Sequence, residues 1–239
     1  MKKSLLLLLI FFCFNYSSVF GAIKLRSVLD GSFNYDDLKT LEIGQNLKLI
    51  ETQDEIANDL INQACVLYNE NKYELAYHML NNVEDKNKTP FAYFIMANIL
   101  SDYERPLDAI FSLQKAIQLD KKYYKAYYNL GNLYADNNQL NNAIVCYKNA
   151  IKYKSDFSYA YFNLGNAYFK SGNLNGAKKA YLAAISHEKK IPEYYYNLSF
   201  TYKKLNDLKK AQKYLDIYNE MIKSMWEKVS NQHFYFLYV

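Results

Sequence analysis

The chain has 239 residues, 51% hydrophobic and 22% charged, enough apolar material to bury a core and exclude global disorder. Only 7 Gly and 3 Pro punctuate it, too few for the many turns of a β sandwich or barrel, so helix is the expected element. The formal charge is +5, or +3 without Lys2 and Lys3, and so small a balance implies no nucleic-acid or anionic-membrane partner.

The opening stretch, MKKSLLLLLIFFCFNYSSVFGA, has two lysines, an apolar run from Leu5 to Phe14, then small and polar residues. Those are the three parts of a secretory signal, predicted to occupy residues 1–21. Gly21 before Ala22 favours cleavage after Gly21, with cleavage after Ala22 as the alternative. The mature protein is then secreted or periplasmic. The apolar run falls short of the ~20 residues a spanning helix needs. Membrane association therefore requires an uncleaved N-terminal anchor, or lipidation at Cys13, against which the bulky Phe12 speaks. Past the signal only Cys65 and Cys146 remain, which make no disulfide framework; free, buried thiols are expected.

Residues 23–51 show no sustained helical period, and residues 22–56 read as an N-terminal arm or linker, with a turn at Asp30-Gly31. Thr52 and Glu55 form a T-x-x-E capping box, and helices are predicted from there. The dominant feature then begins. AYYNLGNLY (Ala126–Tyr134) returns as AYFNLGNAY (Ala160–Tyr168), 34 residues later. Tyr127, Leu130, Gly131 and Tyr134 share one helical face, and Ala143, Tyr147 and Ala150 the matching face of a second helix. Gly131 and Ala143 are small where the helices approach, with Tyr127 and Tyr147 filling the space around them. Asp136-Asn137-Asn138 and Ser171-Gly172-Asn173 supply turn chemistry between the helices. The same positions, with drift, recur in units near 57–89, 90–123, 124–157, 158–191 and 192–225. Each unit is an αα-hairpin whose apolar face needs a neighbour, and stacking five supplies one.

This pattern resembles the tetratricopeptide repeat (TPR), W-x2-L-G-x2-Y…A-x3-F…A, with Tyr in place of both W and F. The family's late Pro is replaced at Ser155 and Lys189, which touches the inter-unit turns alone. The resemblance implies an all-α solenoid over residues 57–225 whose first helices line a concave groove that commonly binds peptides. Onto that groove map an aromatic ladder of Phe94, Tyr128, Phe162 and Tyr196 and two asparagine ladders, Asn98, Asn132 and Asn166, and Asn129, Asn163 and Asn197. An asparagine amide donates and accepts, so it can pair with an extended peptide backbone. Family consensus and an AT-rich coding bias would also produce these residues. Lys170, Lys203 and Lys204 gather towards the C-terminal end, with Asp102 and Asp136 towards the other. A polarised groove would orient a partner with an acidic end; two scattered solvated faces are the plainer reading.

Signatures of chemistry are missing from the sequence. His78, His187 and His233 are isolated, Asp102, Asp136 and Glu193 are separate carboxylates, and no Gly-rich phosphate loop, nucleophile elbow or H-E-x-x-H occurs. A non-enzyme without metal or cofactor is expected. The sequon Asn197-Leu198-Ser199 lies within a packed helix and is discounted. Over residues 226–239, a helix is expected through Lys228, after which QHFYFLYV folds back to cap the last unit; as an alternative, Leu237 and Val239 faintly resemble a PDZ ligand. The expected function is an exported module that binds a peptide or protein partner in the concave groove, within an envelope or periplasmic assembly. The alternatives are a structural scaffold of an envelope complex that uses the convex face or the tail, and, more remotely, a non-catalytic accessory to a polymer-modifying or export enzyme.

Overall fold

The computed structural model describes the backbone of residues 55–236 and the side chains of residues 55–226. The predicted signal, residues 22–54 of the predicted arm and with them Thr52 of the capping box lie outside the described residues, whereas residues 55–56 already belong to the first described helix. The described helices are α1 (Glu55–Asn69), α2 (Tyr73–Asn82), α3 (Pro90–Asp102), α4 (Pro106–Leu119), α5 (Tyr124–Asp136), α6 (Leu140–Tyr153), α7 (Ser158–Lys170), α8 (Leu174–His187), α9 (Pro192–Lys204) and α10 (Leu208–Phe236). Odd-numbered helices are the first of each hairpin and even-numbered ones the second. From α3 onward each second helix packs on its own first helix, and α4, α6 and α8 also pack on the first helix of the next unit.

Local chemistry sets where the helices start and stop. Pro90, Pro106 and Pro192 open α3, α4 and α9, where a missing N–H costs nothing. The Thr89 hydroxyl accepts from the Ala92 N–H at 3.1 Å, and the Asn173 side chain accepts from the Gly176 N–H at 2.9 Å. Every hairpin turns on one left-handed residue: Asn71 (φ 60°), Glu104 (56°), Asn138 (57°), Gly172 (81°) and Asn206 (61°). The following N–H reaches back to the first helix, as Gln139 does to the Tyr134 carbonyl at 2.7 Å and Asn173 to that of Tyr168 at 2.8 Å. These bonds satisfy carbonyls that the helix end would otherwise orphan. Asn and Gly enter this backbone region cheaply, whereas Glu104 does so at a cost.

Small residues let the helices close on one another. Ala109, Ala143 and Ala177 are fully buried at the same place in successive units. A Cβ added at Gly131 would stand 2.6 Å from Cε1 of Tyr147, and one at Gly165 2.5 Å from Cε1 of Tyr181. Tyr147 thus fills the space the glycine leaves, as expected from sequence, whereas Tyr127 stacks on Tyr153 at 5.7 Å. Ala143, Tyr147, Leu164, Ala167 and Ala180 form one buried cluster joining α6, α7 and α8. α3 departs from the amphipathic pattern, because Ala92 through Leu100 are buried on every side of the helix. The buried Lys88 precedes it, donating to the Val83 carbonyl at 2.6 Å and to the Asp85 carboxylate at 2.8 Å. That ammonium holds the Asp85 carboxyl below its usual range.

Two features differ from the sequence expectation or refine it. The last helix does not stop at Lys228 and turn back, but continues unbroken to Phe236, 29 residues against 14 for α4, α6 and α8. Its continuous helical register makes this possible, and residues 237–239 lie outside the described part. Cys65 in α1 and Cys146 in α6 are buried; burial pushes both thiols up, that of Cys146 to about 12. Among the described residues no helix is long and apolar enough to cross a membrane.

Candidate partner-binding face

The two asparagine ladders run along the first helices, and they meet each other. Nδ2 of Asn129 donates to Oδ1 of Asn98 at 2.8 Å, Asn163 to Asn132 at 2.9 Å, and Asn197 to Asn166 at 2.9 Å. Each bond joins one unit to the unit before it across 31 residues, one helical turn short of the repeat period. Two of these acceptors take a second bond from within their own hairpin, from the Tyr147 hydroxyl to Asn132 at 2.9 Å and from the Tyr181 hydroxyl to Asn166 at 2.6 Å. Both lone pairs on these oxygens are thereby used. Asn98, Asn129 and Asn132 are buried, while Asn163, Asn166 and Asn197 are half-buried.

The aromatic ladder behaves in a similar way. Phe94 packs on Tyr123 at 5.4 Å, Tyr128 on Phe157 at 4.9 Å and Phe162 on Tyr194 at 4.8 Å, so each ring reaches the start of the following unit. Phe94 and Phe162 are buried and leave nothing for a ligand, whereas Tyr128 is half-buried, its oxygen accepting from Asn163 at 3.1 Å. The fourth ring differs. Tyr196 packs on Tyr218 of α10 at 5.2 Å and remains 38% exposed.

Phe200, absent from the sequence-derived set, stands beside it at the position where earlier units carry Asn132 and Asn166, and it is 42% exposed. Its ring lies 5.6 Å from that of Phe169, and the Lys204 ammonium sits over it at 5.5 Å. Lys170 and Lys203 are exposed on the last turns of α7 and α9. The sequence signal for Phe200 was the break itself: an aromatic residue replaces the ladder asparagine in the one unit with no described successor to donate to it. This end of the face therefore combines solvent-facing rings with lysines, an arrangement suited to apolar side chains flanked by carboxylates.

Among the described residues no three His, Cys, Asp or Glu side chains are placed to hold a metal ion. His187 stacks on Tyr161 at 5.2 Å. Burial raises the phenols of Tyr68, Tyr123, Tyr181 and Tyr194 well above their ordinary value.

Family models described as TPR repeat or tetratricopeptide repeat match residues 112–145, 131–172, 158–191 and 192–216. The comparison with curated proteins gives no match. Among solved structures, the chain is similar to MamA, at 24% identity and a TM-score of 0.65, over 69% of this chain and 96% of that one. It is similar to MamA residues 41 to the end from Desulfovibrio magneticus RS-1, at 20% identity and a TM-score of 0.66, over 72% and 98%. A third is YrrB, described as a TPR protein with an unusual peptide-binding site, at 22% identity and a TM-score of 0.62, over 71% and 88%. On the 34-residue period, the stacked hairpins and these likenesses, the chain is a tetratricopeptide-repeat protein, an all-α solenoid of such units.

Proposed function

We propose that this protein is an exported interaction module that binds an extended segment of a protein partner along its first-helix face, towards the C-terminal end of the stack. The observation that carries the reading is the pair Tyr196 and Phe200. Tyr196 and Phe200 keep 38% and 42% of their surface exposed beside their contacts to Tyr218 and Phe169, whereas Phe162 and Asn132 at the equivalent positions of earlier units are buried in inter-unit contacts. The Lys204 ammonium lies over the Phe200 ring, and Lys170 and Lys203 are exposed on the last turns of α7 and α9, so the favoured partner segment presents apolar side chains beside acidic ones. The half-buried Tyr128, Asn163, Asn166 and Asn197 extend the face towards the N-terminus. Likeness to YrrB, a peptide-binding TPR protein, supports the class of ligand. Lys2-Lys3 and the apolar run behind them support export, to the periplasm or beyond. Replacing Tyr196 and Phe200 together by alanine should weaken partner binding by roughly 10- to 100-fold, as loss of aromatic anchors does, with the melting temperature little changed. Unchanged binding would move the site elsewhere. Intact-mass measurement of protein from its host should show loss of about the first 21 residues, the length of an ordinary signal.

A scaffold role through the second-helix face is the second reading. It is favoured by Leu107, Phe111 and Val145, which are 78%, 59% and 58% exposed on α4 and α6.

A further inference from the structure

The small net charge hides a strong segregation. Over residues 55–120 acidic side chains outnumber basic ones, whereas over residues 121–226 lysines prevail. The excess gathers at two neighbouring hairpin turns. Lys170, Lys178 and Lys179 flank the turn at Gly172, on the last turn of α7 and the first two turns of α8. Around the next turn, at Asn206, Lys203 and Lys204 end α9, and Lys209, Lys210 and Lys213 lie in the first two turns of α10. All are exposed except Lys178, which is half-buried. Asp207 is the only carboxylate across residues 170–179 and 203–213, and it pairs with Lys210 at 2.8 Å. Lys210 holds its carboxyl below the usual range, and Lys178 of the preceding unit adds to the effect, so the two turns form one patch. Among the described residues the other lysines of the patch form no ion pair. The three earlier turns have the opposite sign: Glu70 and Glu74 stand about Lys72, Asp102, Glu104 and Asp108 about Arg105, and Asp136 stands alone.

The chemistry of the patch selects its counterpart. Every cation in it is lysine, a hydrated point charge, and none is the planar arginine that protein interfaces favour. The lysines surround exposed turn tips, Gly172, Asn173 and Asn206, rather than lining a groove that could enclose a strand. The rings within it offer bases no stacking platform: Tyr202 and Tyr214 lie parallel at 5.5 Å, and the Lys210 and Lys213 ammonium groups sit over them. Leu208 stands among the lysines, 62% exposed. An apolar side chain ringed by flexible lysines suits the headgroup boundary of a bilayer, where ammonium groups meet phosphates and the leucine meets acyl chains.

We propose that this edge docks the protein on an anionic lipid bilayer, with Lys178, Lys179, Lys209 and Lys213 at the headgroups and Leu208 entering them. The same surface repels the acidic N-terminal units, so the stack meets it with its last two units foremost. Tyr196 and Phe200 have no part in this contact, which stands apart from the partner-binding reading.

Co-sedimentation of the protein purified from its host with lipid vesicles tests this. Phosphatidylcholine vesicles in which about a third of the lipid is phosphatidylglycerol should retain it, and pure phosphatidylcholine vesicles should not. Raising the salt from about 0.1 M to about 0.5 M should release it, because screening shortens the reach of exposed charges. Lys178→Gln, Lys179→Gln, Lys209→Gln and Lys213→Gln combined should weaken binding by roughly 100- to 1,000-fold, about fivefold for each lysine, with the melting temperature unchanged. Lys121, Lys122, Lys189 and Lys190 lie at the other ends of the helices, and the same change at all four should alter binding little. Independently of these variants, a solvent-sensitive fluorophore on Leu208→Cys should shift to the blue on vesicle binding, whereas one on Asn141→Cys in α6 should not. Equal retention by uncharged vesicles, binding indifferent to salt, equal losses at the two edges, a blue shift at both labels, or binding to single-stranded DNA or polyglutamate as tight as to vesicles would overturn the proposal.

Discussion

Asn132→Ala separates an asparagine that holds the stack together from one that serves a ligand. Oδ1 of Asn132 accepts from the Tyr147 hydroxyl and from Nδ2 of Asn163, both at 2.9 Å. Asn163 keeps the Tyr128 oxygen at 3.1 Å and is half-buried, so it is partly compensated. Tyr147 is 2% exposed and loses the acceptor of its hydroxyl. An orphaned buried donor costs ~1–3 kcal/mol and the second bond ~0.5–1.5 kcal/mol, so a loss of about 2–4 kcal/mol is expected. Tyr147→Phe alone should cost ~1 kcal/mol, because Asn132 retains Asn163. In the Asn132→Ala background the same change should cost nothing or stabilise, since it deletes the orphan. The coupling is then ~1–3 kcal/mol, readable from urea unfolding of the four proteins followed by circular dichroism. If Asn132→Ala unfolds at the wild-type midpoint, or if the two changes simply add, the ladder does not hold the units together in the way described.

Three further outcomes follow from the packing. Gly131→Ala should cost ~1–3 kcal/mol of stability, because its Cβ would meet the buried Tyr147 ring at 2.6 Å; a melting temperature equal to wild type would contradict this close contact. Iodoacetamide at neutral to mildly alkaline pH should leave Cys65 and Cys146 unmodified until the protein is unfolded, which peptide mass mapping reads directly, because burial keeps both thiols protonated. Stability should fall on the alkaline side. The unfolded chain releases tyrosine protons from about pH 10, whereas burial raises the folded-state pKa of Tyr68, Tyr123, Tyr181 and Tyr194. Their contribution is complete below about pH 10 and declines above it by about 1.4 kcal/mol per pH unit for each tyrosine; stability unchanged to about pH 12 in urea titrations would contradict their burial.

The hairpin stack was legible because it is written as a period: Gly131, Ala143 and Tyr147 recur as Gly165, Ala177 and Tyr181, and the contact between them has a steric cause. The role of the asparagines was only half legible. The sequence contains the stagger, with Asn98, Asn132 and Asn166 beginning one unit before Asn129, Asn163 and Asn197, and that offset is what an inter-unit bond requires. Deciding between a ligand and a neighbouring amide as the partner needs the distance between adjacent first helices, which residue types do not encode. Phe200 was passed over because it breaks the ladder, although the break marks where inter-unit bonding ends. The length of α10 was obscured by the polar residues of KVSNQH, which read as a helix terminus although a 3.5-residue alternation runs through them.

Site-specific photo-cross-linking in the native host tests the central claim most directly. A benzophenone side chain at Phe200 samples the first-helix face, and one at Phe111, 59% exposed on α4, samples the opposite face. A partner held along the first helices predicts a discrete cross-linked protein from position 200 that disappears with Tyr196→Ala, and none from position 111. A cross-link from position 111 with none from position 200 would contradict the account.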